Sequence, residues 1–479
     1  MDRPNILILC TDQQRFDALG AAGNPHIRTP NLDRLAAEGA MFTNCYVQAP
    51  VCGPSRASLM TSRYLHNHGL WANGVDISPA ERVFTRDLAD AGYDCGLVGK
   101  FHLGAAAGGR VEPRIDDGFR VFRWAHDPYL PCEQNHYHRW LDANFPGLLE
   151  KTLAEGNGAF DRLPTESHYS HWIGDETIDF LRDAARADTP FCFVANFFDP
   201  HHGFGAPAEY RELYDPDSLP APIGDEQELA GKPPIYTEAS IKSYAGMSPG
   251  FRDFTAAEIQ EIKAQYYAMV TLVDDEVGRI LAALDDEGLA GNTVVIFTSD
   301  HGELLGDHQL LLKGPMMFDC SIRVPLLVRW PGQVERGQVR DELVEWIDLA
   351  PTVLAAAGAD GLPAAQGRSL LPLITGRTDD WVRRDWVLSE YRNSGSPYDP
   401  PVHTTMLRHG HHKLVVHHGA PASGRPRDGE LYDLDADPSE LVNLWHDAAC
   451  TALRTTLQEF LLDALVATEE RSSPRVANF

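Results

Sequence analysis

The chain has 479 residues, 43% of them hydrophobic and 23% charged, the composition of a globular protein long enough to bury a sizeable core. Its 41 Lys and Arg against 69 Asp and Glu give a net charge of −28, which argues against general nucleic-acid binding and against long-range attraction of polyanions. Eight scattered cysteines do not make the framework of a disulfide-stapled secreted domain.

The first predicted strand covers residues 6–10. Its five apolar residues are too few for a signal-peptide core, and no later run approaches the roughly 18 apolar residues of a membrane span. The expectation is a soluble, cytoplasmic protein with no membrane partner. A helical pattern at 29–40 follows, then a strand at 95–98, a helix at 177–187 and a strand at 191–197. The longest helical pattern, 256–284, leads into strands at 294–297 and 324–328. This alternation predicts an α/β fold, a large mostly parallel sheet sandwiched by helices. The stretch 200–250, rich in Pro, Asp and Glu, reads as a surface excursion that rims or covers the site. Short antiparallel strands at 386–391, 404–407 and 413–417 and a helix at 448–467 suggest a smaller C-terminal α+β subdomain over 376–479, after a catalytic domain over 1–375.

In such sheets, chemistry gathers beyond the carboxyl ends of the strands. Asp12 follows the first strand, and Asp300-His301 follow the strand 294–297. A lone aspartate after a strand is also a common helix cap, but shared placement at strand ends points to convergence on one cation. Lys100 and His102 lie just past 95–98, where a lone residue of either type would read as a solvated loop side chain. Cys52-Gly53-Pro54-Ser55-Arg56 opens a helical pattern with a proline suited to a first turn. Cys52 would then sit at the positive end of a helix dipole, where a nucleophile or an anion is favoured. A buried structural cysteine beside a helix start fits the same residues.

Cys52-Gly53-Pro54-Ser55-Arg56 running into Ala57-Ser58-Leu59-Met60-Thr61 resembles the first signature of the type I, formylglycine-dependent sulfatases of the alkaline phosphatase superfamily. Gly92-Tyr93-Asp94-Cys95 with Gly99-Lys100-Phe101-His102-Leu103-Gly104 resembles the second. The likeness continues through Asp300-His301-Gly302-Glu303, residues 313–331 and Glu430-Leu431-Tyr432-Asp433-Leu434, so it spans most of the chain. Ser62 stands where a glycine is usual, and Cys95 where Ser or Thr is common.

The resemblance implies hydrolysis of sulfate monoesters at a divalent metal, with Cys52 oxidised to formylglycine and its hydrate as nucleophile. It implies Asp12, Asp300, His301 and the modified Cys52 as metal ligands, with Gln13 a further candidate at a position where many sulfatases carry aspartate. His301 replaces their asparagine. Both changes resemble the choline-sulfatase, phosphonate monoester hydrolase and some bacterial arylsulfatase branches. One carboxylate fewer and one imidazole more make the site less calcium-like and more accepting of Mn²⁺, with Ca²⁺ and Mn²⁺ both left open.

By the same resemblance Lys100 and Lys313 bind the sulfate group, with Asn73 as a polar contact. His201 meets the leaving-group oxygen and His102 serves as base. Arg56 holds the modified residue, and His202 lies on the rim. The implied partners are a small-molecule sulfate ester and a formylglycine-generating or sulfatase-maturating enzyme. The alternative activity is a phosphonate monoester or phosphodiester hydrolase using the same nucleophile. A catalytically dead anion binder is the third reading, disfavoured because every polar position of the chemistry is filled. Specificity for the alcohol would lie in residues 200–250 and 391–403, and the 200–250 stretch offers an interface for a homo-oligomer. The pairs His411-His412 and His417-His418 are expected on the surface.

Overall fold

A computed structural model describes residues 3–470 apart from 108, 395–397 and 421, so part of the 391–403 stretch lies outside the described residues. Among the described residues nine strands form the main sheet: β1 (Asn5–Thr11), β2 (Ala40–Tyr46), β3 (Asp94–Gly99), β4 (Val121–Trp124), β5 (Phe191–Asn196), β6 (Thr293–Ser299), β7 (Arg323–Arg329), β8 (Gln338–Arg340) and β9 (Val344–Glu345). Their order is β8-β2-β7-β6-β1-β5-β3-β4, with β9 also paired to β2. All neighbours are parallel except β7, which runs antiparallel to both β6 and β2.

Every residue of β1 is buried, because helices cover both faces of the sheet. Alternation sends Ile6, Ile8 and Cys10 into one apolar core and Leu7 and Leu9 into the other. Among the helices that frame the sheet and its satellite are α1 (Pro30–Ala37), α2 (Cys52–Thr61), α3 (Tyr169–Ala184), α4 (Ala256–Asp286), α5 (Leu349–Ala357) and α6 (Thr451–Ala467). α2 and α5 contribute to the first core, α3 and α4 to the second. Helix α4 runs almost as its periodicity predicts. Thr255 accepts from the Glu258 N–H while the Glu258 carboxylate accepts from the Thr255 N–H, a reciprocal cap that fixes its start.

Two helices depart from their sequence patterns. α1 stops at Ala37 because the chain turns and enters β2 at Ala40. α3 begins at Tyr169, well before 177, since Tyr169, Trp172 and Ile173 bury themselves in the second core.

A second sheet of β10 (Trp386–Arg392), β11 (His403–His409), β12 (His412–His417) and β13 (Asp428–Asp433) is antiparallel throughout, with strands adjacent in chain order. Leu457, Leu461 and Ala464 of α6 share a core with Leu388, Leu407 and Leu414 of this sheet. A buried ionic joint ties it to the main sheet. Lys413 donates to Glu440 Oε1 at 2.7 Å and to the Asp319 carboxylate, which also accepts from Tyr46 at 2.9 Å and Arg323 at 3.1 Å. His417 is buried, against the surface expectation, and its Nε2 lies 2.9 Å from Glu430. His411 is exposed, as expected.

The 200–250 excursion is packed rather than loose. It carries short helices at Ala208–Arg211, Glu226–Ala230 and Pro234–Ile241, and it buries Tyr210, Tyr214, Leu229 and Tyr236. Lys232 donates to Tyr432 on the second sheet at 2.7 Å. Among the described residues no helix is long and apolar enough to cross a membrane.

Candidate active site

The parallel strands deliver their polar residues to one edge: Asp12 after β1, Lys100 after β3, His201 after β5, and Asp300 with His301 after β6. Helix α2 starts at that edge, and its entire length is buried. Val51 precedes it in extended conformation without a side-chain cap, so the first N–H groups must find partners elsewhere. Asn73 provides one, its Oδ1 accepting from Gly53 N–H at 2.9 Å while its Nδ2 donates to Tyr244 Oη at 3.0 Å. At the far end, Ser62 closes the helix at φ +55°. A left-handed residue there explains why glycine suits the position. Ser62 compensates by donating to the Ile347 carbonyl at 2.8 Å and accepting from Gly367 N–H at 3.2 Å.

Cys52, the first residue of α2, is buried with its Sγ 3.0 Å from Lys313 Nζ, 3.1 Å from His301 Nε2 and 3.5 Å from Asp12 Oδ1. Burial and Asp12 push its thiol up, but Lys100, Lys313 and His301 outweigh them and hold it below its ordinary value. Asp12 accepts from Lys100 Nζ at 2.7 Å and faces Arg56 Nη2 at 3.5 Å. Burial opposes its ionisation, yet Lys100, His201, Lys313 and Arg56 keep its carboxyl well below the usual range. Arg56 Nε donates to Asp300 Oδ2 at 2.7 Å and its Nη1 to the Lys100 carbonyl at 3.0 Å, so one guanidinium joins three strand ends.

Asp12, Cys52, Asp300 and His301 each present a ligand atom, and these four atoms lie within 4.8 Å of one another, all from buried residues. His301 Nε2 stands 3.7 Å from an oxygen of each aspartate. Two carboxylates, an imidazole and a sulfur that converge in this way are a donor set that fits a divalent cation. Gln13, the further candidate, lies beside this set, its N–H donating to Asp300 Oδ1 at 3.1 Å. Its Oε1 accepts from Lys313 Nζ at 2.8 Å and lies 3.3 Å from His202 Nδ1, while its Nε2 donates to the Glu303 carboxylate. Glu303 is fully buried and also accepts from Leu305 N–H at 2.9 Å and Leu312 N–H at 2.5 Å. Gln13 and Glu303 thereby fix the approach of Lys313 to Cys52.

His102 and His201 are buried imidazoles held neutral. Burial, then His126 and Lys100, lowers His102 well below its usual range. Burial, then His202 and Lys313, does the same to His201, whose Nδ1 lies 2.8 Å from the His202 carbonyl. His201 stacks between Phe198 and His202, with ring centroids 4.5 and 3.9 Å away.

Cys52, Asn73, Lys100, His102, His201 and Lys313 all line one cleft of about 830 Å³. Arg56, Asp12, Asp300 and His301 are buried around its floor. His202, read from sequence as a rim residue, also lines the cleft and contacts Gln13. Sequence reasoning passed over His126, Tyr129, Asp161 and Tyr244 in the same wall. None belongs to a motif, although His126-Asp127 just after β4 repeats the pattern of polar residues at strand ends.

The family described as Sulfatase matches residues 4–359, and the one described as N-sulphoglucosamine sulphohydrolase, C-terminal, matches residues 306–467. The chain is 32% identical to the multifunctional alkaline phosphatase superfamily protein PehA of Trinickia caryophylli, over 95% of this chain and 93% of that protein. It is 30% identical to an arylsulfatase of Clostridium perfringens, over 98% and 95% respectively. Among solved structures, the phosphonate monoester hydrolase of Silicibacter pomeroyi superposes with a TM-score of 0.82 at 26% identity, covering 98% of this chain and 96% of that one.

Proposed function

Because the chain belongs to the sulfatase family, we propose that it hydrolyses sulfate monoesters to an alcohol or phenol and inorganic sulfate, with Cys52 converted to formylglycine by a maturating enzyme. The observation that carries this reading is the convergence of Asp12, Asp300, His301, Lys100 and Lys313 on the first residue of α2. A cysteine kept merely for packing has no need of two ammonium groups and a metal-type donor set.

A sulfate ester repels an anionic nucleophile, so catalysis rests on neutralising charge that is already positioned. Lys100 and Lys313 both line the cleft and would hold the sulfate oxygens. A divalent cation, Ca²⁺ or Mn²⁺, would be held by Asp12, Asp300, His301 and residue 52, and when bound it supplies positive charge that lowers the pKa of a hydroxyl beside it. The hydrated aldehyde offers two hydroxyls on one carbon, one to attack sulfur and a second whose deprotonation returns the aldehyde and releases sulfate without a further water.

His201 would protonate the departing oxygen. It rests neutral, and the arriving anion raises its proton affinity, so protonation accompanies binding. His102, neutral at rest, is suited to take the proton of the second hydroxyl. Arg56 clamps Asp300 and orients residue 52. Asn73 helps to set the helix start and borders the substrate.

Mass spectrometry of the peptide containing residue 52, from protein that hydrolyses p-nitrophenyl sulfate, tests this directly. A mass about 18 Da below that of the cysteine form is expected. A fully active enzyme with an intact thiol would refute the reading. The likeness to a phosphonate monoester hydrolase supports a second activity at the same site, since both substrates present a tetrahedral anionic centre. Comparing kcat/KM for p-nitrophenyl sulfate and a phenyl phosphonate ester ranks the two, and a preference for the phosphonate of roughly 10²-fold or more would reverse the assignment.

A further inference from the structure

His102 stands in a strained position. Its backbone lies at φ +59°, a left-handed conformation that a residue with a Cβ adopts only under constraint. The constraint is Glu112, a buried carboxylate whose Oε2 accepts from His102 N–H at 2.9 Å and whose Oε1 accepts from Leu103 N–H at 3.3 Å. The ring of His102 is oriented with Nε2 toward the start of α2, 3.5 Å from the place a Cβ on Gly53 would occupy. Among the described residues no hydrogen bond fixes that orientation. Nδ1 of His102 is buried without a hydrogen-bond partner.

What meets the ring is His126. The two imidazoles pack edge to face, centroids 4.4 Å apart at 84°. His126 is 8% exposed, its own Nδ1 likewise lacks a hydrogen-bond partner, and that atom lies 3.7 Å from Glu112 Oε2. Glu112 thus contacts the backbone of one histidine and borders the ring of the other, and both rings line the cleft.

We propose that Glu112 and His126 are positioning residues for His102. Glu112 holds its backbone, and the ring of His126 holds its imidazole over residue 52. This rests on the role proposed for His102, and it makes the second half of the reaction the sensitive half. There the O–H proton of the second hydroxyl passes to His102 Nε2, the carbon–oxygen bond to the sulfuryl group breaks with its electron pair leaving on sulfate, and the carbonyl re-forms. Sulfuryl transfer to residue 52 does not use His102, so a displaced imidazole stalls the enzyme after the alcohol has left.

The test compares His126→Ala, His126→Phe and Glu112→Gln by rapid-mix hydrolysis of p-nitrophenyl sulfate and by crystal structures of the variants. His126→Ala should lower steady-state kcat on the order of 10²-fold while still releasing about one nitrophenol per site in a first burst, with a sulfated residue-52 peptide trapped on quenching. His126→Phe, which keeps the edge-to-face contact, should restore most of the rate. Glu112→Gln, which replaces one acceptor oxygen with a donor, should behave as His126→Ala. Loss of the burst together with the steady state, or a Phe variant as slow as the Ala variant, would overturn the proposal. The structures give a readout independent of substrate. The His102 ring should leave its place against Gly53 in His126→Ala and keep it in His126→Phe, and a ring unmoved in His126→Ala would also overturn the proposal, whereas failure of the wild type to hydrolyse any sulfate ester would count against the proposed function instead.

Discussion

Two buried charged clusters, one at the open edge of the main sheet and one between the two sheets, use the same residue types to opposite ends. In the joint around Lys413, each carboxylate oxygen of Asp319 and Glu440 meets an N–H or O–H donor from another segment. The cluster is closed and its product is attachment. Around Cys52, Asp12 and Asp300 also have donors in Lys100, Arg56 and the Gln13 N–H. But His301 Nε2 stands 3.7 Å from an oxygen of each aspartate, and the Lys313 ammonium group approaches a sulfur and an imidazole nitrogen rather than a carboxylate. That arrangement is incomplete without something positive among the acceptors and something negative before the lysines. A buried ionic cluster that satisfies itself is a joint, and one that leaves complementary gaps is a binding site.

Substitutions in both clusters can break this contrast. The largest effect expected is from Cys52→Ala, which should cut p-nitrophenyl sulfate turnover roughly 10⁴-fold or more and leave the melting temperature nearly unchanged. Lys313→Met should lower kcat/KM on the order of 10²- to 10³-fold with a stability change of about 1 kcal/mol or less. Lys413→Met, the matched change in the joint, should reverse the pattern. It leaves Asp319 and Glu440 buried without their shared ammonium group and should cost about 3–5 kcal/mol in denaturant titration, with little loss of activity per folded molecule. Equal effects of the two lysine changes on activity would dissolve the distinction.

Acid sharpens it further. Burial opposes ionisation of Glu430, but the hydrogen bond and charge of His417, then Lys232 and Tyr236, bring its carboxyl down to about 2. A depressed carboxyl stabilises fully above its unfolded value of 4.5 and loses that contribution as pH falls toward 2, a loss on the order of 3 kcal/mol. Glu430→Gln should flatten the stability curve across that window. The smallest effect expected is from Ser62→Gly. Relief at φ +55° and loss of the two hydroxyl hydrogen bonds should cancel to within about 1 kcal/mol, with activity intact.

The central strands were legible because burial on both faces leaves continuous apolar runs such as 6–10 and 294–297. The strands β2, β4 and β8 toward the two margins of the sheet were not, since mixed exposure breaks their pattern, as at Met41 and Thr43 of β2. Motif spacing brought Cys52, Arg56, Lys100 and His102 into view, and strand ends brought Asp12, Asp300 and His301. The engagement of Gln13 with Glu303 and Lys313 had no signal, because a glutamine after a strand looks the same whether it binds a metal or a lysine. Tyr244 was hidden for a different reason. It comes from the 200–250 excursion, and its hydrogen bond to Asn73 joins residues 171 positions apart.

The lone antiparallel strand of the main sheet carries a wiring consequence. Because β7 runs against β6, the chain leaves β6 at the working edge and begins β7 from that same edge, with no crossover to the other side. Asp300, His301, Glu303 and Lys313 therefore ride on a single return segment between two neighbouring strands. The donor pair for the proposed cation and the ammonium that faces the proposed nucleophile are delivered as one cassette. Any change in the length of that segment would move both at once, while each parallel connection contributes its residues independently.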